Sequence, residues 1–285
     1  MAYWILKVIL SPIFFLLWKV EIEGQEHVPK HGPAVLAANH QSFCDSFFLP
    51  LVMKRRVTYV AKAEYFDDWK TAWFFRAAGQ IPMNRGGGDA SQRALDTAKE
   101  VLDGGSLLGI YPEGTRSPDV RLHKGHTGVA RLAIGCGVPI IPVGIVGTRA
   151  IQPPGRRLMR PFHPVKVRFG PPLICTQAAY ESESVNGTGS APAEGGVGAN
   201  GSGVATGSTN GSAPEADPDH LRRWTDILMT AIASLSAQEY VDEYANRSKS
   251  NAGDSRAPGT GGTRGVSGAD RRPKAQGGAV DVASS

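Results

Sequence analysis

A histidine and an aspartate stand five positions apart in the stretch "ANHQSFCDS", as His40 and Asp45. Side chains five apart on a helix point roughly 140° away from each other, so these two can meet only where the chain changes conformation between them. A histidine beside a carboxylate can act as a general base, because the carboxylate orients the ring and stabilises its protonated form. The alternative is structural: Asp45 completes a capping box in which Ser42 is the N-cap of a helix.

The residues around the pair predict such a change of conformation. "PAVLAAN" is a short apolar run that is typical of a buried strand, and "DSFFLPLVM" is apolar enough to pack as a helix. Further along, short apolar strands alternate with helix-like segments as far as "PVKVRFG". This alternation predicts an α/β fold, in which a mixed sheet is flanked by helices.

Polar residues follow several of the predicted strands. "EGTRS" comes soon after "SLLGIY", and "PMNRGGG" places Arg85 before three glycines. Arg85 and Arg116 can each present a planar fork to a phosphate, and Thr115 adds a donor. A single arginine is more often an ion-pair partner. Two of them at strand ends, with a histidine at a third, favour an anion site, because ligands of such sheets gather where strands end and helices begin.

Four segments together resemble the glycerolipid acyltransferases, the family that includes 1-acylglycerol-3-phosphate acyltransferases. "NHQSFCD" resembles the HX4D box of that family, "GQIPMNR" its second motif, "YPEGTRS" its third and "VPIIPVGI" its fourth, in the family's order across residues 39–145. Two departures bear on substrate choice. Asn84 stands where the second motif often has an acidic residue, and "LHKGHTG" lacks the aromatic residue common before the lysine.

The resemblance implies a glycerol-3-phosphate acyltransferase-like fold and an O-acyltransferase of phospholipid biosynthesis. The acyl group would move from an acyl-CoA or acyl carrier protein thioester to the free sn-2 hydroxyl of 1-acylglycerol 3-phosphate, giving phosphatidic acid. This thioester is a co-substrate, and no cofactor is implied. His40 would be the general base, with Asp45 as its partner. Arg85, Arg116 and Lys124 would bind the phosphate, while Glu113 would orient Arg116 or accept a hydrogen bond from a glycerol hydroxyl. The implied substrate-binding residues are Arg85, Glu113, Gly114, Thr115, Arg116 and Lys124.

Three alternatives stay open at this point. Relatives that acylate another lysophospholipid or a glycolipid share the same motifs. A non-enzymatic module that binds anionic lipid would also explain the basic and apolar features, although it would leave His40 and Asp45 without a use. Finally, Cys44 could act as a nucleophile that forms an acyl-enzyme, against which a buried and inert cysteine is the simpler interpretation.

The first residues favour contact with a membrane surface. "WILKVILSPIFFLLWKV" is mostly apolar, but Lys7, Ser11 and Pro12 interrupt it, and its uninterrupted part is far shorter than the ~20 residues that span a bilayer. Trp4 and Trp18 suit the headgroup boundary. Residues 1–19 are therefore predicted to be a membrane-associating helix that lies in the interface. The alternative is a buried core helix.

Charge and cysteine content limit the partners. The net charge is +5, and residues 1–180 hold 22 Lys and Arg against 13 Asp and Glu. Such a basic surface suits an anionic membrane or phosphorylated ligands, while no nucleic-acid-binding motif is present. Three cysteines without a CxxC pair favour a reducing setting at the cytoplasmic face. His123 and His126 lack a carboxylate or cysteine cluster nearby, so no metal site is predicted.

The domain organisation follows from composition. Residues 20–180 are predicted to form the acyltransferase domain. Residues 181–217 are rich in Gly, Ser and Ala and contain no Leu, Ile, Met or aromatic residue, so they are expected to be a disordered linker. Residues 218–245 are expected to be a helix that packs on the domain, with Asp217 as its N-cap and Pro218 at its first position. Residues 246–285 are expected to be a disordered basic tail.

Overall fold

The computed structural model describes residues 2–83, 90–156, 158–175 and 217–245. The predicted linker, apart from Asp217, and the predicted tail lie outside these residues. The strands are β1 (Val20–Glu23), β2 (Ala34–Ala38), β3 (Val57–Lys62), β4 (Ile81–Met83), β5 (Leu107–Ile110), β6 (Leu122–His123), β7 (Ile140–Val146), β8 (Val165–Phe169) and β9 (Tyr240–Val241). The helices are α1 (Ala2–Leu17), α2 (Asp45–Val52), α3 (Trp69–Ala77), α4 (Ala90–Asp103), α5 (Gly128–Cys136), α6 (Thr148–Ile151) and α7 (Pro218–Ser236).

Seven strands form one mixed sheet, in the order β1-β8-β7-β2-β5-β3-β4. Its neighbouring strands are parallel except β7 and β8, which run antiparallel. The predicted α/β class is confirmed. β2 lies at the centre, and its five residues are all buried, as expected for a parallel strand that is covered on both faces.

Helices cover the two faces of the sheet. Successive side chains of a strand point to opposite faces: Leu36 joins the apolar cluster that contains Phe14 of α1 and Phe48 of α2, whereas Val35 joins the cluster that contains residues of α4, α5 and α7. The sheet is therefore the middle layer. The register of β2 with β5 pairs Ala37 with Ile110, so the loops that follow these two strands leave the sheet side by side.

Helix α7 begins as the sequence predicts but ends earlier. The Asp217 side chain accepts a hydrogen bond from the N–H of Asp219, and Pro218 is the first helical residue. The helix ends at Ser236, because Ala237 adopts a left-handed conformation with φ 55°. Residues 237–244 are not helical, contrary to the prediction. Instead β9 pairs in parallel with β6.

Helix α1 has apolar side chains on more than one face. Phe14 and Trp18, the latter directly after the end of the helix, are buried against α2. The helix is therefore not separate from the domain. Val8 and Leu16 remain 71% and 80% exposed, which excludes a wholly buried one. Lys7, which interrupts the apolar run, donates to the carbonyls of Pro50 and Met53 at the end of α2. Among the described residues, no helix is long and apolar enough to cross a membrane.

Candidate active site

His40 and Asp45 meet in the loop between β2 and α2. The His40 Nδ1 lies 3.0 Å from the Asp45 Oδ2, and the same oxygen accepts the N–H groups of Gln41 and Ser42 at 2.8 Å. The loop therefore wraps around one buried carboxylate. The spacing of five residues between His40 and Asp45 allows this turn. The Nδ1 donates, so the Nε2 is the ring nitrogen left to accept a proton.

The capping prediction is correct only in part. Helix α2 begins at Asp45, with Cys44 at the N-cap position and no side-chain bond from it. The prediction that Ser42 is the N-cap is wrong, because the Ser42 hydroxyl donates instead to the carbonyl of Gln152 at 2.9 Å. The reverse bond, from the Ser42 N–H to the Asp45 carboxylate, is present. Asp45 thus orders the start of α2 and also contacts the imidazole.

Aromatic rings fix the His40 imidazole from one side. The Tyr111 ring stacks on it with a centroid distance of 3.8 Å and an interplanar angle of 9°. The Tyr111 hydroxyl forms a hydrogen bond with the Ser46 hydroxyl at 2.9 Å. Tyr59 stacks on Tyr111 in turn, and Gly109 makes room for it, since a Cβ there would lie 2.4 Å from the Tyr59 ring. The His40 side chain is left 15% exposed.

The Glu113 carboxylate links two loops. Its Oε1 accepts the N–H of His40 and its Oε2 accepts the N–H of His123, both at 3.1 Å. Burial raises the pKa of Glu113 to about 7, against the opposing effect of these two N–H donors. In the part of the chain that the structure describes, Glu113 forms no ion pair with Arg116, so the first of its two expected roles, orienting Arg116, is not seen, while the second, accepting from a glycerol hydroxyl, stays a prediction. Its oxygens instead hold the backbone of His40 and the backbone of His123.

Residues 114–116 line a cavity beside His40. Gly114 has φ 68° and donates its N–H to the Tyr111 carbonyl at 2.9 Å, which turns the chain so that Thr115 and Arg116 face the cavity. The next residue, Ser117, donates its N–H to the His40 carbonyl at 2.8 Å. Within the described ranges no carboxylate pairs with Arg116, which is exposed, so its guanidinium is available for an anionic ligand.

The structure brings only part of the predicted phosphate site together. Lys124 is not among the residues that line the cavity, because its ammonium pairs with Asp242 at 2.8 Å and lies 5.9 Å from the centre of the Tyr244 ring. Arg85 lies outside the described residues. The sequence interpretation did not include Tyr111, whose position directly before "PEGTRS" was a usable signal. It also missed His126 and Tyr244, which line the cavity.

The cavity joins this polar corner to an apolar interior. Its volume is about 850 Å³, within the range of small-molecule sites. His40, Thr115 and Arg116 form part of one wall. The remainder is largely apolar and includes Leu6 and Leu10 of α1, Phe47 and Leu51 of α2, and Leu95 of α4. The cavity therefore combines a candidate base, a cation and room for a hydrocarbon chain.

Comparison with known proteins identifies the domain. Residues 19–146 match the model of the family described as Acyltransferase. Residues 19–146 are therefore similar to that family. A 1-acyl-sn-glycerol-3-phosphate acyltransferase of Brassica napus (BAT2, chloroplastic) is 29% identical over 193 residues, which are 65% of this chain and 56% of that protein. The 1-acyl-sn-glycerol-3-phosphate acyltransferase LPAT1 of Arabidopsis thaliana is 32% identical over 54% of this chain and 43% of its own length. The human 1-acyl-sn-glycerol-3-phosphate acyltransferase alpha is 30% identical over 49% of this chain and 50% of its own length.

A solved structure agrees with this acyltransferase fold. The crystal structure of the 1-acyl-sn-glycerophosphate acyltransferase PlsC from Thermotoga maritima superposes with a TM-score of 0.52 and 24% identity, over 77% of this chain and 73% of that one. The chain spans about half the length of the curated relatives that it matches. The resemblance inferred from the four motifs is thereby confirmed at the level of family and fold.

Proposed function

We propose that this protein transfers a fatty acyl group from an acyl thioester to the sn-2 hydroxyl of 1-acylglycerol 3-phosphate, giving phosphatidic acid. One observation carries the proposal: the His40–Asp45 pair and Arg116, which pairs with no carboxylate of the described residues, open onto one cavity whose remaining walls are largely apolar. A base, an anion site and an apolar chamber are the three features that a lysophosphatidate acceptor and an acyl chain require. The names of the relatives support the same activity.

The proposed reaction begins at the His40 Nε2. This nitrogen takes the proton from the acceptor hydroxyl while the hydroxyl oxygen attacks the thioester carbonyl carbon. Asp45 accepts the Nδ1–H at 3.0 Å, which keeps the ring in the required tautomer and stabilises the imidazolium. The C–S bond then breaks, and the leaving sulfur receives the proton from the imidazolium. The products are an ester and a free thiol.

Arg116 and Thr115 are proposed to bind the acceptor phosphate, since a guanidinium can hold two phosphate oxygens at once. Arg85 keeps the same proposed role. Lys124 could join them only by leaving Asp242. The thioester is proposed to come from acyl-CoA or acyl carrier protein, with its acyl chain in the apolar part of the cavity.

The covalent route through Cys44 has no support in the geometry. The Cys44 side chain is fully buried and donates to the Ser42 hydroxyl. Burial raises the pKa of its thiol to about 12, so the thiolate that a nucleophile requires is scarce at neutral pH. Direct attack by the acceptor is therefore the proposed route.

The protein is further proposed to work at the cytoplasmic face of a membrane, as a peripheral or monotopic protein. Val8 and Leu16 of α1, and Trp69 and Trp73 of α3, are all more than 60% exposed, and α1 contacts α3. Large apolar side chains on adjoining helices are a feature of surfaces that enter the interface. Leu6 and Leu10 of the same helix α1 line the cavity, so a docked helix would bring the lipid close to the site.

A panel of acceptors, assayed with one labelled acyl-CoA, tests this function. Lysophosphatidate should be the preferred acceptor over uncharged glycolipids and over lysophospholipids with larger headgroups, and His40→Ala should remove the transfer. A preference for another acceptor would keep the reaction but change the substrate. Vesicle binding without turnover by the wild-type protein would instead support a non-enzymatic lipid-binding module.

A further inference from the structure

Residues 237–245, here called the strap, return the chain from α7 to the active site. The strap pairs with the segment that follows the EGTRS motif: Leu122 is opposite Tyr240, and His123 is opposite Val241. The Leu122 N–H donates to the carbonyl of Glu239 at 2.9 Å, and the Lys124 N–H donates to the carbonyl of Glu243 at 3.0 Å. Since these bonds join backbone to backbone, the strap has a fixed register beside the site.

Side chains fix the two ends of the strap. At its start the Gln238 side chain accepts from Asn39, which adjoins His40, at 2.6 Å and donates to the carbonyl of Val120 at 2.7 Å. Towards its end Asp242 pairs with Lys124 at 2.8 Å. The last residue, Ala245, is buried. The strap is therefore held both to the chain beside His40 and to the segment that follows the EGTRS motif, and the ring of Tyr244 has a defined position.

Tyr244 holds a histidine against the EGTRS segment. Its ring stacks on the His126 ring with a centroid distance of 4.7 Å and an interplanar angle of 15°. The His126 ring also packs on Gly114, where a Cβ would lie only 3.1 Å from the His126 Cδ2. Both His126 and Tyr244 line the cavity together with Arg116. The His126 ring thus lies beside the residues proposed to bind the acceptor phosphate.

We infer that His126 is a further substrate-binding residue, which hydrogen-bonds the phosphate of the acceptor, and that Tyr244 is the positioning residue that holds its ring. This inference rests on the proposed function and names a part of that site. Partial burial and the nearby charge of Arg222 lower the pKa of His126 below its ordinary value of 6.5. The ring is then neutral at neutral pH and offers one N–H to a phosphate oxygen, while Arg116 supplies the charge.

Two pairs of variants separate hydrogen bonding from packing. His126→Phe keeps a ring between Gly114 and Tyr244 but has no N–H, so it should raise KM for lysophosphatidate about tenfold or more, as the loss of a hydrogen bond to a charged group does. Its kcat and its KM for acyl-CoA should stay within about twofold of wild type. Tyr244→Phe keeps the stacked ring and should behave as wild type, whereas Tyr244→Ala should raise KM for lysophosphatidate. Glu243→Ala, an exposed neighbour in the strap, is the matched control and should change neither KM.

Calorimetric titration with a soluble short-chain lysophosphatidate provides a readout without turnover. Binding to His126→Phe that is about tenfold weaker than binding to the wild type supports the inference, whether or not the wild type is an active enzyme. Equal binding overturns it, because His126 then only packs. A rise in KM for acyl-CoA alone also overturns it and assigns His126 to the donor. A wild-type protein that binds lysophosphatidate but never acylates it would contradict the proposed function and leave the binding role in place.

Discussion

The wall of the cavity that carries His40 is held together differently from the wall that α1 provides. Around His40, the carboxylates of Asp45 and Glu113 each accept two backbone N–H groups. The guanidinium of Arg149 donates to the carbonyls of residues 117, 118 and 119. Helix α1 is attached mainly by apolar packing on α2, and side chains such as Leu16, 80% exposed, point away from the domain.

The difference reflects what each wall must do. Proton transfer requires heavy atoms within hydrogen-bond distance, and directional bonds to buried groups can maintain such a distance. Apolar contact has no direction and grows with the area removed from water. The activity should therefore depend on single atoms near His40, whereas membrane binding through α1 should depend on the summed apolar area and tolerate exchanges of one apolar residue for another.

The largest effect is expected at His40, the proposed general base. His40→Ala removes the acceptor of the proton and should lower kcat by about 10² to 10⁴. Backbone contacts of residue 40 with Glu113 and Ser117 are retained in the variant, so its melting temperature should stay close to that of the wild type. His31→Ala, at an exposed histidine that does not line the cavity, is the matched control. Full activity of His40→Ala would contradict the assigned role.

Asp45→Asn tests whether orientation of the base and order of the loop can be separated. The amide carries no charge to stabilise the imidazolium, so kcat should fall about 10²-fold. The same change weakens acceptance of the N–H groups of Gln41 and Ser42, and a cost of about 1 to 3 kcal/mol in the free energy of unfolding is expected. Unfolding curves and the specific activity of the folded fraction measure the two effects. Normal specific activity in a destabilised protein would support a capping role alone.

The fold and the meeting of His40 with Asp45 could be predicted because they depend on local pattern. A buried strand followed by an apolar helix, with a carboxylate at the helix start, is legible in "PAVLAANHQSFCDSFF". The N-cap was assigned to Ser42 wrongly because its hydroxyl has a partner 110 residues away, the carbonyl of Gln152. Strand β3, whose sequence includes "VTYV", was not predicted, because it directly follows the basic cluster at residues 54–56.

Contacts between distant segments were not predictable in this way. From the sequence, Lys124 was expected to bind phosphate. In the structure its ammonium pairs with Asp242, a residue of the strap, which follows the linker in the sequence. The strap, "AQEYVDEYA", was predicted to be helical because it contains no glycine or proline to mark the end of α7; the left-handed residue that ends the helix is Ala237. Glu113 lies buried between two backbone segments, which its sequence motif does not reveal.

Arg116→Ala tests whether the cavity wall that carries His40 also recognises the negative charge of the acceptor. KM for lysophosphatidate should rise about 10- to 100-fold, with a smaller change for acyl-CoA, since a hydrogen bond between charged groups is lost. Arg116→Lys should recover only part of the affinity, because an ammonium lacks the planar fork. Arg76→Ala, at an exposed arginine of α3 outside the cavity lining, is the control. An equal rise in both KM values would remove Arg116 from the acceptor site.

Glu113→Gln tests whether burial of a carboxylate makes the polar wall sensitive to pH. The wild-type carboxyl has its pKa raised from 4.5 to about 7, so between these values the folded chain binds more protons than the unfolded chain. The free energy of unfolding should therefore fall as pH rises through this window, by roughly 1 to 3 kcal/mol. The variant should lack this part of the slope, whereas Glu100→Gln, at an exposed glutamate of α4, should retain it. Parallel curves for wild type and Glu113→Gln would contradict the shift.

The smallest effect per residue is expected on α1, where apolar area rather than geometry matters. Val8→Ser together with Leu16→Ser removes two of the most exposed apolar side chains of the helix, so binding to anionic vesicles should weaken several-fold, in proportion to the apolar area lost. Val8→Leu and Leu16→Val should leave binding almost unchanged, because the apolar surface is kept. Val120→Ser, at a residue 67% exposed near the EGTRS segment, controls for loss of apolar area elsewhere. Rising salt should weaken the binding further, since the basic residues contribute a component screened within about 10 Å at 0.1 M. If the double variant binds vesicles as well as the wild type does, the membrane contact lies elsewhere on the domain, and the apolar wall differs from the catalytic one only in its packing.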